Sequence, residues 1–585
     1  MSQKIGKRSA LLRLFGYLWK FKWFLFLAVF LAVVANILAL LAPDLSGRAI
    51  DAATGGKGKV DFDAVLHYAG LMAVFYVISA GMSYALQLVM IHIARNVTFR
   101  IRQDLFERLA VLPVGFYDSH PPGDILSRIS YDADNISESL ASDVVHIFTG
   151  AITLVGSFYM MARISPLLLI ITVITIPLSL LMTRFITKRT RPLFRRRSRK
   201  LGELNDFVEE KISAQKTLKS YNQEQNVLRD FDTEDEDVVN AYYKAEYYGA
   251  TMGPSMNSVN NLSLALISVL GAYLYISSGG TAITIGNISS YVLYSRRFSG
   301  PIQEIANIFN ELQSALSAAE RIFGLMDVEP EPADLPEAQE VTAVQGEVAL
   351  ENVDFGYLPE RQILYNFSLL AEPGKTIAIV GPTGAGKSTL INLLMRFYEI
   401  DRGRVTVDGK DINVITRNSL RLAYSMVLQE TWLFYGTIYD NIAYGRPDAT
   451  YEEVITAAKA AGIHSFINAL PEGYDTILTD DAANISKGQK QLLTIARAML
   501  MNCQMLILDE ATSNVDTRTE KLVQKAMLKL MQGKTCFVVA HRLSTIRDAD
   551  LILVVRDGNI VQRGTHKELM KTGGFYRELY NAQFE

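Results

Sequence analysis

Cysteine is almost absent from this chain: among 585 residues only Cys503 and Cys536 occur. Two thiols cannot make a disulfide framework or a zinc site of usual ligand count, so both read as small buried hydrophobes in a reduced compartment. Neither sign of charge predominates. The 58 basic and 61 acidic side chains leave a formal net charge of -3, so no global field points at nucleic acid or at a membrane surface, and no nucleic-acid partner is expected. Charged residues make up only 20% of the chain against 49% hydrophobic and 10% aromatic, which excludes a disordered polypeptide and a charge-rich soluble coiled coil. Length excludes a single compact domain, since about 100 to 200 residues per domain implies several units.

What the chain has in quantity is apolar length. Uncharged runs of about 20 residues or more in the first half can cross a ~30 Å hydrocarbon core as helices. They are Trp23 to Ala42, with Asn36 its one amide, Ala64 to Ala94, and Val144 to Ala162 followed by Ile164 to Thr183, a pair divided by Arg163 and kinked by Pro166. The run Tyr247 to Ser295 is long enough for two spans joined where Gly279 and Gly280 permit a turn. Six spans are expected, at about 18–42, 64–94, 144–163, 164–187, 247–277 and 282–303, in a transmembrane domain of residues 1–325. Lysine and arginine are retained on the cytoplasmic side. The basic cluster from Arg184 to Lys200, and Arg95, Arg100, Arg102, Arg108 and Arg128 between the second and third spans, put those connections and both termini inside the cell. The second and fourth spans continue into long polar helices, so two helical hairpins should project into the cytoplasm.

After Arg321 the pattern changes. The segment DVEPEPADLPEAQE, Asp327 to Glu340, cannot be a helix interior or a central strand and reads as a linker over residues 326–346. Over residues 347–585, short β-branched runs alternate with amphipathic helical stretches, as at Thr376 to Val380, Met505 to Leu508 and Cys536 to Ala540. That is the signature of a mostly parallel α/β sheet. The expected fold is an α-helical membrane domain with long cytoplasmic extensions, followed by an α/β P-loop ATPase domain.

The sequence GPTGAGKST lies between the strand Thr376 to Val380 and the amphipathic run Leu390 to Phe397, the strand-loop-helix context of a phosphate-binding loop. Gly381, Gly384 and Gly386 let backbone N–H groups curl round phosphate oxygens, with Pro382, Thr383, Ala385 and Thr389 completing the loop. Lys387 offers a cation to the β and γ phosphates, and Ser388 can ligate Mg²⁺. Met505 to Glu510, MLILDE, is an apolar strand ending in two carboxylates at the carboxyl edge of the sheet. Asp509 would hold Mg²⁺ through water, and Glu510 would orient or deprotonate the attacking water. The cofactors expected are ATP and Mg²⁺.

Gln429 in VLQE, ISKGQKQ at Ile485 to Gln491, ATSNVD after Glu510 and His541 in AHRLST occur in the order and spacing of an ATP-binding cassette. With six spans in front, the chain resembles one half of an ABC exporter over nearly its whole length. The resemblance implies that Tyr357 stacks on adenine, that Gln429 touches Mg²⁺ or water and contacts the membrane domain, that His541 meets the γ-phosphate, and that Asp516 is the D-loop aspartate. It also implies an ATP-driven exporter of hydrophobic or amphiphilic compounds, drugs foremost. A lipid flippase, a peptide exporter and an ATP-gated channel or regulatory subunit are the alternatives.

The signature departs from that family's LSGGQ. Ser486, Gly488 and Gln489 are present, but Lys487 stands where glycine allows close approach, and its Cβ restricts φ. Closure over the partner's ATP should be weakened or slowed. An intact Glu510 beside an altered signature is the pattern of heterodimeric exporters, with a homodimer that tolerates the lysine as the alternative, so the partners expected are a second exporter half with a regular signature, membrane lipid and a hydrophobic small-molecule cargo. Phe116, Tyr117 and Asp118 with Gly123, Ser127, Arg128 and Asp132 resemble the first coupling loop, and Lys216 to Phe231 the second. In the last span Asn287, Tyr291, Tyr294 and Phe298 share one helical face, and Asn257, Asn260 and Asn261 cluster in the fifth. These faces, with Arg296 and Arg297, either line a cargo cavity or hydrogen-bond from helix to helix with snorkelling arginines.

Overall fold

Each long apolar run of the first half forms a helix, because backbone N–H and C=O groups with no water to bond must satisfy one another. The computed structural model describes residues 7–54, 60–358, 360–428, 431–479, 484–509, 517–539 and 546–584. The helices that carry the expected spans are Lys22–Ala53, Phe62–Ala110, Val144–Ile164, Pro166–Ser213, Met252–Ser278 and Ile285–Met326. The third and fourth do not form one kinked rod. Ser165 ends the first of them and caps the second, accepting from Leu168 N, while Pro166 sits in the opening turn where its missing N–H costs nothing. Gly279, at φ +61°, closes the turn between the fifth and sixth. Phe62–Ala110 and Pro166–Ser213 reach 49 and 48 residues, as the polar extensions of those spans require.

Among the described residues five helical segments are long and apolar enough to cross a membrane, and Ile285–Met326, which carries the sixth expected span, is not one of them. Its polar groups are met by neighbouring helices instead. Ser290 Oγ donates to Pro43 O at 2.7 Å, Tyr294 OH to Leu40 O, and Tyr291 OH lies 3.1 Å from Thr172 Oγ1. Lys22–Ala53 also supplies Asp51, whose carboxylate accepts from Thr284 Oγ1 at 2.6 Å and Gly286 N at 2.7 Å, anchoring the start of the last helix. A hydropathy pattern measures fitness for lipid, and this helix faces protein.

The chain divides into two units, Met1–Ala110 with Pro122–Val328, and Val111–Pro121 with Glu329–Glu585. In the second unit the strands are β1 (Val348–Phe355), β2 (Leu364–Ala371), β3 (Thr376–Val380), β4 (Arg402–Val407), β5 (Lys410–Asp411), β6 (Tyr424–Val427), β7 (Gly436–Thr437), β8 (Ile477–Leu478), β9 (Met505–Asp509), β10 (Thr535–Val539), β11 (Leu551–Arg556) and β12 (Asn559–Gly564). The main sheet has the order β12-β11-β3-β10-β9-β6, parallel from β11 to β6, and a second sheet runs β2-β1-β4-β5. The central strands are apolar at every interior position because both faces are covered. Ala378, Val380, Leu506, Leu508, Cys536 and Val538 face a helical layer. Ile377, Ile379, Met505, Ile507, Phe537 and Val539 face the second sheet. Burial pushes the Cys536 thiol up to about 12, whereas Cys503 is only partly buried.

The segment Asp327 to Glu340 is irregular, as its prolines demand, yet it does not hang free. Glu331 N donates to Val111 O at 2.9 Å, the Glu331 carboxylate pairs with Arg421, and Asp334 takes Arg417 Nη1 at 2.7 Å. Gln339 N reaches Val414 O at 2.9 Å. The prolines keep this strap irregular, and its acidic residues Glu331 and Asp334 dock it on the ATPase unit.

Candidate functional site

β3 ends at Val380 and the chain turns against β11. A Cβ on Gly381 would lie 2.1 Å from Val555 O, so only glycine passes there. Gly384 and Gly386 take φ +83° and +101°, a region L side chains rarely adopt, and they swing the backbone so that the helix Lys387–Leu394 opens toward the loop. Pro382 and Thr383 are exposed, Ala385 and Thr389 buried, and Ser388 stands exposed on the first turn. Lys387 Nζ donates to Gly381 O at 2.8 Å and Pro382 O at 2.9 Å, which holds the ammonium inside the loop. Burial lowers the pKa of Lys387, opposed by the Asp509 carboxylate.

Asp509 reaches the same edge by register. It pairs with Val539 on β10, and Val539 pairs with Ile379 on β3. Gln429, Glu510, Asp516 and His541 lie outside the described residues. The strands β6, β9 and β10 that precede them are parallel and end at one edge of the sheet. Tyr357, just past β1, is 42% exposed. Its ring stands edge-on to Phe355 at 5.0 Å and to Tyr398 at 4.9 Å. Its hydroxyl donates to Thr389 Oγ1 at 3.2 Å and accepts from Asn392 Nδ2 at 3.1 Å. A glycine cradle, a cation, a hydroxyl and a carboxylate at one sheet edge, with the part-exposed Tyr357 bonded to the helix that follows the cradle, fit Mg²⁺-ATP, a metal that keeps few protein ligands beside substrate phosphates.

Ser486 caps the helix Lys487–Met501 in a capping box: its hydroxyl accepts from Gln489 N at 3.3 Å, and its own N–H donates to Gln489 Oε1 at 2.8 Å. Lys487 is the first helical residue and is not among the non-glycine residues with positive φ. A right-handed helical position accepts any L side chain, so the φ that a Cβ imposes is met here without strain. What the lysine adds is a long exposed side chain and a charge. Gly488 is buried.

In the membrane unit the aromatic face of the last helix points into protein: Tyr291 and Tyr294 are fully buried, Phe298 nearly so, and Asn287 is half-buried with its N–H on Thr284 Oγ1. Arg297 is engaged with Ala39 O through Nη1, and its Nη2 lies 3.3 Å from Tyr76 OH. Arg296 differs. With Asn257, Asn260, Asn261, Ser295 and Ser299 it lines a cavity of about 320 Å³ whose lining includes, among the described side chains, no acidic one. The coupling residues also divide. Phe116, Tyr117 and Asp118 belong to the ATPase unit, while Gly123, Ser127, Arg128 and Asp132 belong to the membrane unit, where buried Asp132 forms a bidentate pair with Arg321. Lys216 to Phe231 forms the tip of a helical hairpin in the membrane unit, and its first helix, Gln215–Ser220, buries no residue. Sequence reasoning missed Tyr398, whose only signal is an aromatic just beyond the P-loop helix.

Residues 25–302 match the ABC transporter transmembrane region, and residues 364–513 match the ABC transporter ATPase model. A fatty acid ABC transporter ATP-binding/permease protein of Mycobacterium bovis is 44% identical over 527 residues, which are 90% of this chain and 83% of that one. An ATP-dependent lipid A-core flippase of Syntrophus aciditrophicus is 33% identical over 510 residues, 87% of this chain and 84% of that one. Among solved structures, a bacterial Atm1-family ABC exporter with ATP bound superposes with a TM-score of 0.76 at 29% identity, covering 96% of this chain and 98% of that chain. The chain belongs to the ABC transporter family, as an exporter half of the ATP-binding/permease type: a multi-pass membrane protein whose cytoplasmic ATPase domain uses Mg²⁺ and ATP to drive transport.

Proposed function

We propose that this chain exports amphiphiles carrying an anionic head, and that Arg296 receives that head. One observation carries the reading: an arginine well inside a membrane-spanning helix lines a cavity of amides and hydroxyls in which, among the described side chains, no acidic one takes part. Arg296 follows Ile285, where its helix begins, by three turns. At 1.5 Å per residue that is roughly 16 Å along the helix, within the expected span 282–303 and toward its inner end. A charge at that depth is costly unless it faces a polar cavity, and a lone guanidinium selects carboxylate or phosphate. Relatives named for a fatty acid and for lipid A support amphiphilic cargo over a purely apolar drug. In the reconstituted transporter, Arg296→Ala is expected to raise the oleate concentration needed for half-maximal ATPase stimulation about tenfold, the loss of one charge-assisted hydrogen bond, with Arg296→Lys intermediate. Equal stimulation of wild type and Arg296→Ala would remove the assignment.

In the same reading Lys387 and the N–H groups of residues 383–389 hold the β and γ phosphates while Tyr357 packs on the adenine. Ser388, Gln429 and, through water, Asp509 would hold Mg²⁺, which would supply charge neutralisation at the phosphate oxygens. Glu510 orients the water that attacks the γ-phosphorus, the bond to the ADP oxygen breaks in line, and His541 contacts the transferred group.

The pairing reading is that Ser486, Lys487, Gly488 and Gln489, with Asp516, act on ATP held by a second exporter half with a regular signature. Its support is the exposed Lys487 side chain on the first turn of a helix whose N–H groups must close on phosphate. ATP turnover by this chain alone is expected to rise roughly tenfold in Lys487→Gly, about 1.4 kcal/mol off the barrier. Unchanged turnover in that variant, with full transport by the chain alone, would count against the heterodimer.

A further inference from the structure

Tyr398 makes contacts in two directions. Its ring stands edge-on to the Tyr357 ring, centroids 4.9 Å apart at 84°, and lies 5.8 Å from Phe355. Its hydroxyl donates to Asp118 Oδ2 at 2.5 Å. The helix Val114–Ser119 that carries Asp118 is seated directly on the ring, for a Cβ on Gly115 would lie 2.8 Å from Tyr398 Cε1. Phe116 is buried beside it and stacks on His120 at 4.2 Å. All of these residues belong to one unit, yet the segment Val111–Pro121 is continuous in sequence with the helix Phe62–Ala110 before it and with Pro122–Ser127 after it, both in the other. Tyr357 itself bonds Thr389 and Asn392 on the P-loop helix.

We propose that Tyr398 is a positioning residue that transmits nucleotide occupancy from Tyr357 to the segment Val111–Pro121, its ring sensing Tyr357 and its hydroxyl holding Asp118. Packed rings carry displacement because close-packed side chains have no slack, and a charge-assisted hydrogen bond gives the relay a direction that a purely apolar contact lacks. A nucleotide base packing on Tyr357 shifts the edge that Tyr398 touches, and Asp118 moves with the hydroxyl. The inference rests on the reading that Tyr357 faces adenine.

The test uses the full-length chain carrying Glu510→Gln to retain ATP, with Cys503→Ser and Cys536→Ser, and an environment-sensitive fluorophore on Tyr117→Cys. Titration with Mg²⁺-ATP gives an amplitude, reporting motion of the segment, and a half-saturation, reporting affinity. Tyr398→Phe keeps the ring and loses the hydroxyl, and Asp118→Ala removes the acceptor. Each is expected to cut the amplitude by about half or more with half-saturation unchanged, and the double variant to lose no more than either single one, as for two ends of one bond. A full amplitude in Tyr398→Phe, or an ATP response absent from the parent, overturns the relay. A shifted half-saturation with full amplitude overturns it too, since that is the mark of a merely structural tyrosine. Tyr357→Ala reports separately on the reading beneath it: half-saturation is expected to rise about tenfold from loss of the base stack. An unshifted value there with a reduced amplitude in Tyr398→Phe would sink the adenine assignment and leave the mechanical link.

Discussion

Glu510→Gln is expected to lower ATP turnover of the purified transporter at least about 100-fold while leaving ATP binding within about threefold, the range for removing a positioned general base. The physical reason begins in β9. Met505, Leu506, Ile507 and Leu508 are completely buried between two layers, so the end of that strand cannot drift. The next residue, Asp509, is held level with Val539 and thereby with Ile379 beside the phosphate-binding loop. Glutamine keeps the size and hydrogen-bonding reach of the glutamate and loses the charge that draws a proton from water. Phosphate release measured at saturating ATP, with nucleotide retention measured on the same preparation, separates the two effects. Turnover at the parental rate would show that another group activates the water.

Gly381→Ala is expected to weaken Mg²⁺-ATP binding at least about 100-fold, and to destabilise the ATPase unit by about 1 to 3 kcal/mol, the cost of overpacking a filled interior. The alanine methyl would stand 2.1 Å from Val555 O, a backbone atom of β11 that cannot rotate away. Relief requires β3 and β11 to separate, and their parallel register at Val380 and Val554 stands next to the loop. The loop that should cradle phosphate would then open at its first residue, and the two carbonyls that hold Lys387 Nζ would move with it. Equilibrium binding of a fluorescent ATP analogue and a thermal melt of the full chain test this pair of effects. Parental affinity together with a parental melting temperature would mean that the strands accommodate the methyl.

Much of this molecule was legible before any fold was known, for reasons that differ by region. Span-length runs such as Trp23 to Ala42 declare themselves because a chain in lipid has few choices beyond helix. The central strands declare themselves because burial on both faces leaves β-branched and apolar residues at consecutive positions, as in Thr376 to Val380. The phosphate-binding loop is a local device, whose glycines, lysine and hydroxyl act within nine residues and carry their meaning in their order.

Where the meaning of a residue depends on its neighbours in space, sequence was silent or misleading. Asn287, Tyr291, Tyr294 and Phe298 read from their helical spacing either as a cavity face or as helix-to-helix contacts, and only the hydrogen bonds to Leu40 and Thr172 make the two tyrosines helix-to-helix joints. Arg296 and Arg297 are adjacent and alike in sequence. One successive residue turns a helix by about 100°, and that rotation alone gives Arg297 a backbone carbonyl and Arg296 a polar cavity. That Lys487 opens a helix in right-handed conformation is set by the Ser486 capping box. Tyr398 had no motif at all. The sequence by itself determined the two-part architecture and the nucleotide chemistry, because lipid solvation and phosphate binding are set by local composition and order. Tertiary structure alone decided which polar groups of the membrane helices are satisfied by protein, how the acidic strap docks and what joins Tyr357 to Asp118, because those are contacts between residues far apart along the chain.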